Sequence, residues 1–164
     1  MGETEKRFLE QLAELIPGVK GYRDKEDRRE TDKKLRETLS QRVDLARESL
    51  QTAKRELLDG GNLDLLGVAD RIDRKLQRAA DGLRYASYGY AGFFDQAKIR
   101  EDELDRLYDY DYGLIANVAE VHSKVAGASS APDAAVALKE LETSADVLIV
   151  GIDKRKGLFD QPAE

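Results

Sequence analysis

Three features of this sequence have residue types suited to chemistry: a carboxylate in an apolar seam, a lone histidine and a run of aromatic side chains. Asp111 interrupts the repeat Leu104, Leu107, Asp111, Leu114, Val118, Val121, Val125, whose 3-4-3-4-3-4 spacing marks one face of a helix. A carboxylate in that position must leave water, which is costly unless a cation or hydrogen-bond donors receive it. Arg42, Arg71, Arg78 and Arg155 flank the apolar stripes of the other helices and are the cations it could meet. Two uses fit Asp111 and Tyr108, three residues before it. One is a structural ion pair that sets helix register. The other is a ligand-binding carboxylate with tyrosines around it.

His122 is the single histidine, eleven residues beyond Asp111 on nearly the same face. The helical rise between them, about 16 Å, prevents shared coordination. Ala119 stands where a Glu-x-x-His pair would need its glutamate, which excludes the usual di-iron arrangement of helical bundles. His122 therefore reads as a surface or half-buried side chain. Asp109, Asp111 and Gly113 resemble a calcium loop only in part, because the remaining ligand positions are wrong. The chain has no cysteine. It shows no phosphate-binding loop, nucleophile elbow, dinucleotide fingerprint or zinc-ligand spacing. No catalytic residue, metal ligand or cofactor is assigned, and the balance is against an enzyme.

The aromatic run is Tyr85-Ala-Ser-Tyr88-Gly-Tyr90-Ala-Gly-Phe93-Phe94, which holds five of the chain's eleven aromatic residues. It falls in a connection of roughly 87–101, longer than the 2–8 residues usual between bundle helices. Here too two uses fit. Tyr88, Tyr90, Phe93 and Phe94 could anchor a protein partner, since such rings offer large contact area at low entropic cost. They could instead form a lid that plugs one end of a bundle. The next stretch, 101–112, carries six acids and one base. Acids in a first helical turn suit the helix dipole without further function.

The elements that position these residues are helices almost throughout. A short amphipathic helix over 1–16 presents Phe8, Leu12, Leu15 and Ile16, and a hinge over 17–23 contains Pro17, Gly18 and Gly21. A long helix runs from Asp24 to Leu58, with the stripe Leu35, Leu39, Val43, Ala46, Leu50, Ala53, Leu57. The third helix spans 62–86, the fourth 102–126, and the fifth ends at Phe159 after a capping signal at Ser130 and Asp133. Gln161 to Glu164 should fray. The expected fold is all-α: an antiparallel four-helix bundle over 24–160, with one long helix and an additional N-terminal helix. Eleven of the twelve residues in 23–34 are charged. With nothing apolar to bury, that stretch is expected to project past its partners by about ten residues, ~15 Å.

The 164 residues suit one domain, and the net charge of −6 argues against nucleic acid as the main partner. The longest aliphatic run, Val147 to Val150, is far short of a membrane span. The absence of an apolar leader core and of cysteine suggests the cytoplasm. Ile16-Pro-Gly-Val-Lys-Gly-Tyr22, and Leu83 to Phe94 followed by Leu104-Asp-Arg-Leu-Tyr108, resemble a group of uncharacterised bacterial helical proteins associated with membrane-stress systems of the phage-shock type. The resemblance covers about 16–126. It implies a stress-linked setting at the inner-membrane periphery, and it brings no activity or functional residues. The function expected from the residues is a non-catalytic adaptor or scaffold that binds a protein partner through 85–94. Its rivals are a peripheral membrane protein and a small-ligand bundle centred on Asp111. A homodimer through the long helix or the first helix is compatible with the pattern, though the surplus seam length does not require one.

Overall fold

The heptad-like stripe from Leu35 to Leu57 is buried over its whole length, and so are the matching stripes around Ile72, Leu114 and Leu148. In the computed structural model, which describes residues 2–86 and 91–160, these stripes share one continuous core. Six α-helices form among the described residues: α1 (Glu3–Leu15), α2 (Lys25–Asp59), α3 (Leu66–Arg84), α4 (Ala91–Phe94), α5 (Glu101–Gly127) and α6 (Ala134–Phe159). A 3-10 turn at Leu63–Leu65 precedes α3, so that helix starts later than its apolar pattern suggests.

Local chemistry explains the boundaries. After α2, Gly61 adopts φ +78, and the Asn62 and Gly61 amides return to the carbonyls of Leu57 and Leu58. This is the left-handed glycine stop that satisfies the last carbonyls of a helix. Asp133, rather than Ser130, caps α6: its carboxylate accepts from the Val136 amide at 3.2 Å. The Glu103 carboxylate accepts from the Arg100 amide at 3.4 Å and closes the start of α5.

Side-chain pairs between helices fix their directions. Arg84 meets Asp44, Arg47 meets Asp73 and Lys54 meets Asp70, so α2 and α3 run antiparallel. Lys124 reaches Ser144 and Arg155 reaches Asp111, so α5 and α6 do the same. Between the two hairpins the sense changes. Arg71 with Glu142, Lys75 with Asp146 and Arg78 with Asp153 place α3 and α6 side by side in one direction. The His122 contact to the Arg42 carbonyl and the Ser129 contact to Glu56 do likewise for α2 and α5. The long helices thus pack in the cyclic order α2, α3, α6, α5. The chain from α3 to α5 must cross a diagonal at one end, which is why this connection is long and carries apolar side chains.

The expected projection at the start of α2 does not occur. Arg28, Thr31, Asp32 and Arg36 are all buried. Chain on both sides covers them: the 94–99 segment above and the hinge around Gly21 and Tyr22 beside. α1 folds back along the first half of α5, with the Phe8 ring 5.2 Å from that of Tyr108. No helix among the described residues is long and apolar enough to cross a membrane.

Candidate functional site

The end of the molecule where α2 and α5 begin and α3 and α6 finish holds a buried polar cluster. Asp111 is fully buried, and of the four candidate cations it is Arg155 that meets it, Nε to Oδ1 at 2.5 Å. The second guanidinium branch of Arg155 reaches Asp32 at 2.7 Å. Asp32 accepts in turn from Arg36 Nε at 2.9 Å, and Arg36 also donates to the carbonyls of Leu83 and Arg84 at the end of α3. Those are carbonyls that a helix end leaves without internal partners. The Tyr22 hydroxyl donates to Asp111 Oδ2 at 2.5 Å. One chain of charge-assisted hydrogen bonds therefore joins the hinge, α2, α3, α5 and α6.

Arg28 extends the network by a different route. It donates to the carbonyls of Tyr22 at 3.0 Å and Gln96 at 2.7 Å, with a longer contact to Phe94. This single side chain pins the hinge and the α3–α5 connection to α2. Around these polar atoms lies an aromatic shell. The Tyr22 ring stacks between Phe8 and Phe94 at 5.8 and 5.7 Å, and Arg155 lies 5.0 Å above the Phe159 ring. Gly21, at φ +99, lets the chain turn inward here, and its amide and carbonyl both bond the Thr31 hydroxyl.

Burial dominates the electrostatics. It raises the Asp111 carboxyl above the ordinary aspartate value, against the opposing pull of Arg155 and the Tyr22 hydroxyl. Burial likewise lifts the Tyr22 phenol well above its usual range and that of Tyr108 to about 12. Both tyrosines stay protonated at neutral pH and act as donors and acceptors. The Tyr108 hydroxyl serves the hinge, accepting from the Tyr22 amide at 3.2 Å. Glu5 on α1 is held by a bidentate pair with Arg23 at 2.5 and 2.7 Å, and that hydrogen bonding lowers its carboxyl below the usual glutamate range.

Among the described residues Asp111 and Arg155 are buried, and both Asp111 oxygens are engaged. Phe93 and Phe94, expected as exposed anchors, are inside. They pack edge-on and tilted against Phe159, 4.9 and 5.3 Å between ring centres. The physical reason is the diagonal crossing, which lays this segment over the open end of the core. Tyr88 and Tyr90 lie outside the described residues. His122 is half-buried on the α2 side, its Nε2 donating to the Arg42 carbonyl at 2.9 Å. No group of three or more His, Asp or Glu among the described residues could hold a metal ion.

A second feature lies on the outside, between α3 and α6. There a shallow groove of about 480 Å³ is lined by Arg71, Arg74, Lys75 and Arg78 of α3 and by Asp146, Ile149 and Val150 of α6. The four cations recur at helical spacing on one face of α3. Arg71 and Lys75 are tied to α6 by Glu142 and Asp146 at 2.8–3.3 Å. Arg78 meets Asp153 only at 3.8 Å, with both side chains largely exposed. Arg74 is exposed and makes no ion pair within 4.0 Å among the described residues. Val150 is 50 % exposed. Sequence reasoning noted Arg71 and Arg78 only as possible partners for Asp111; the spacing 71, 74, 75, 78 was the available signal for a basic face. Comparison with known proteins finds no family model, no curated protein and no solved structure that matches this chain.

Proposed function

We propose that this protein is a non-catalytic adaptor, a four-helix bundle with a docked N-terminal helix, that binds a protein partner along the groove between α3 and α6. The observation carrying this reading is the groove itself: exposed arginines beside a half-exposed aliphatic surface. Arginine beside an apolar surface is the composition favoured at the centre of protein interfaces. The buried cluster supports the same reading from the other side. Its acids and bases are engaged with one another and tie five segments together, which suits a rigid platform better than a reaction centre. Phe93 and Phe94 are core side chains, which favours α3 and α6 over 85–94 as the docking surface in this reading.

Cross-linking of the full chain in lysate of its source cell, followed by mapping of the linked peptides, tests the reading. The expected result is a protein species linked through the 66–84 and 134–159 segments and lost in a Val150→Asp variant whose helicity is unchanged. Links confined to other faces, or a catch identical for both chains, would refute it.

A further inference from the structure

From the charge arrangement of the groove we infer the chemistry of its occupant, an inference that rests on the adaptor reading: an acidic protein segment with carboxylates about one helical turn apart flanking an apolar side chain. Arg71 and Lys75 hold Glu142 and Asp146 at 2.8–3.3 Å, whereas Arg78 meets Asp153 only at 3.8 Å and Arg74 makes no ion pair among the described residues. Arg74 and the loosely held Arg78 stand four residues apart on one face, a rise of about 6 Å. Each guanidinium presents a planar fork that can take a carboxylate through two hydrogen bonds, a geometry lysine lacks.

Ile149 and Val150 on α6 supply the apolar part of the same lining. An occupant that brought only charge would leave the aliphatic surface wet, and one that brought only apolar surface would cover Arg74 unpaired and Arg78 with only its long contact to Asp153. Covering both at once calls for alternating acidic and apolar side chains. The acids on α6 set a further condition. Glu142, Asp146 and Asp153 interleave the cations, so a broad anionic surface would meet repulsion along with attraction. A segment with spaced carboxylates can sit on Arg74 and Arg78 while avoiding those acids. That favours a peptide over a lipid bilayer, which cannot choose its spacing.

The test uses the full chain and three synthetic helical peptides of equal length, built from glutamate and leucine, glutamine and leucine, or lysine and leucine. Vesicles of phosphatidylglycerol with phosphatidylcholine serve as the membrane arm. Binding is read by fluorescence anisotropy at low ionic strength and again near about 0.5 M salt, where exposed charge pairs are screened. The expected result is binding of the glutamate peptide alone, weakened at least tenfold by salt and by the pair Arg74→Ser and Arg78→Ser, with the variant's melting temperature unchanged. Equal binding of the glutamate and glutamine peptides, lost on Val150→Asp, would overturn the acidic occupant and leave the adaptor reading standing. Binding of vesicles but of no peptide, or of nothing at all, would overturn both.

Discussion

Replacing Arg155 by methionine removes one cation from two carboxylates while keeping most of the side chain's apolar stem. The two acids fare differently. Asp32 retains Arg36 at 2.9 Å, whereas Asp111, fully buried, is left among the described residues with the Tyr22 hydroxyl. Breaking a buried pair from one side costs about 3–5 kcal/mol, because the remaining charge has neither water nor partner. For a chain of this length that is a fall in melting temperature of roughly 6–20 °C. Asp111→Asn should cost less, at the low end of that range or below it, since Arg155 keeps Asp32 at 2.7 Å. Replacing the set together, with Arg155→Met, Asp111→Leu and Tyr22→Phe, should recover most of the loss, because a matched apolar replacement leaves no orphan charge. The single Arg155→Met variant also acquires a pH dependence. Burial already raises Asp111, and Arg155 is the cation that opposes it. A group whose folded pKa lies above its unfolded value favours folding at low pH and opposes it as pH rises. The gap between wild type and variant should therefore narrow as pH falls toward the ordinary aspartate range. Urea unfolding followed by circular dichroism at several pH values measures all of this. A loss under about 1 kcal/mol, a larger loss for Asp111→Asn than for Arg155→Met, or a gap indifferent to pH would refute the reasoning.

Phe94→Ala should cost about 3–5 kcal/mol, since the ring is 2 % exposed and packs on Phe159 and Tyr22; a chemical-denaturation midpoint unchanged from wild type would return this ring to the surface. Because pairing with Arg23 lowers Glu5 below its reference value of 4.5, docking of α1 gains stability that is present above that pH and lost as pH falls through the lowered value. Hydrogen exchange of residues 3–15 should accelerate there in the wild type, and Glu5→Gln should abolish that acid step; an identical acid profile for both would contradict the pairing.

The apolar stripes made most of the fold legible in advance. Spacings of three and four residues locate the long helices, and the glycine pair after Asp59 locates the first hairpin. The packing order between hairpins was not legible, because a stripe tells which face is buried and not which neighbour buries it. The start of α2 misled for a specific reason. Arg28, Asp32 and Arg36 stand four residues apart and continue the seam of Leu35 and Leu39 in polar residues. A charged run reads as solvated unless a partner for each charge can be named, and the partners come from residues 22, 96, 83 and 155, far away in the chain. Asp111 was visible because it interrupts an apolar stripe, and Arg155 as one of four cations beside such stripes. Tyr22 was not, since it sits in a hinge where no periodicity speaks for it. The groove depends on the parallel pairing of α3 and α6, which brings Arg74 and Arg78 beside Ile149 and Val150 and leaves no trace in either helix alone.

Hydrogen–deuterium exchange of the full chain, alone and with the glutamate–leucine peptide, tests most directly whether recognition belongs to the outer groove and rigidity to the buried cluster. The expected result is slowed exchange along α3 and α6 around residues 71–78 and 146–150, with residues 21–36 and 108–111 slow in both states and unchanged by the peptide. Slowing centred on Tyr22, Asp32 and Asp111, or no slowing on α3 and α6, would contradict it.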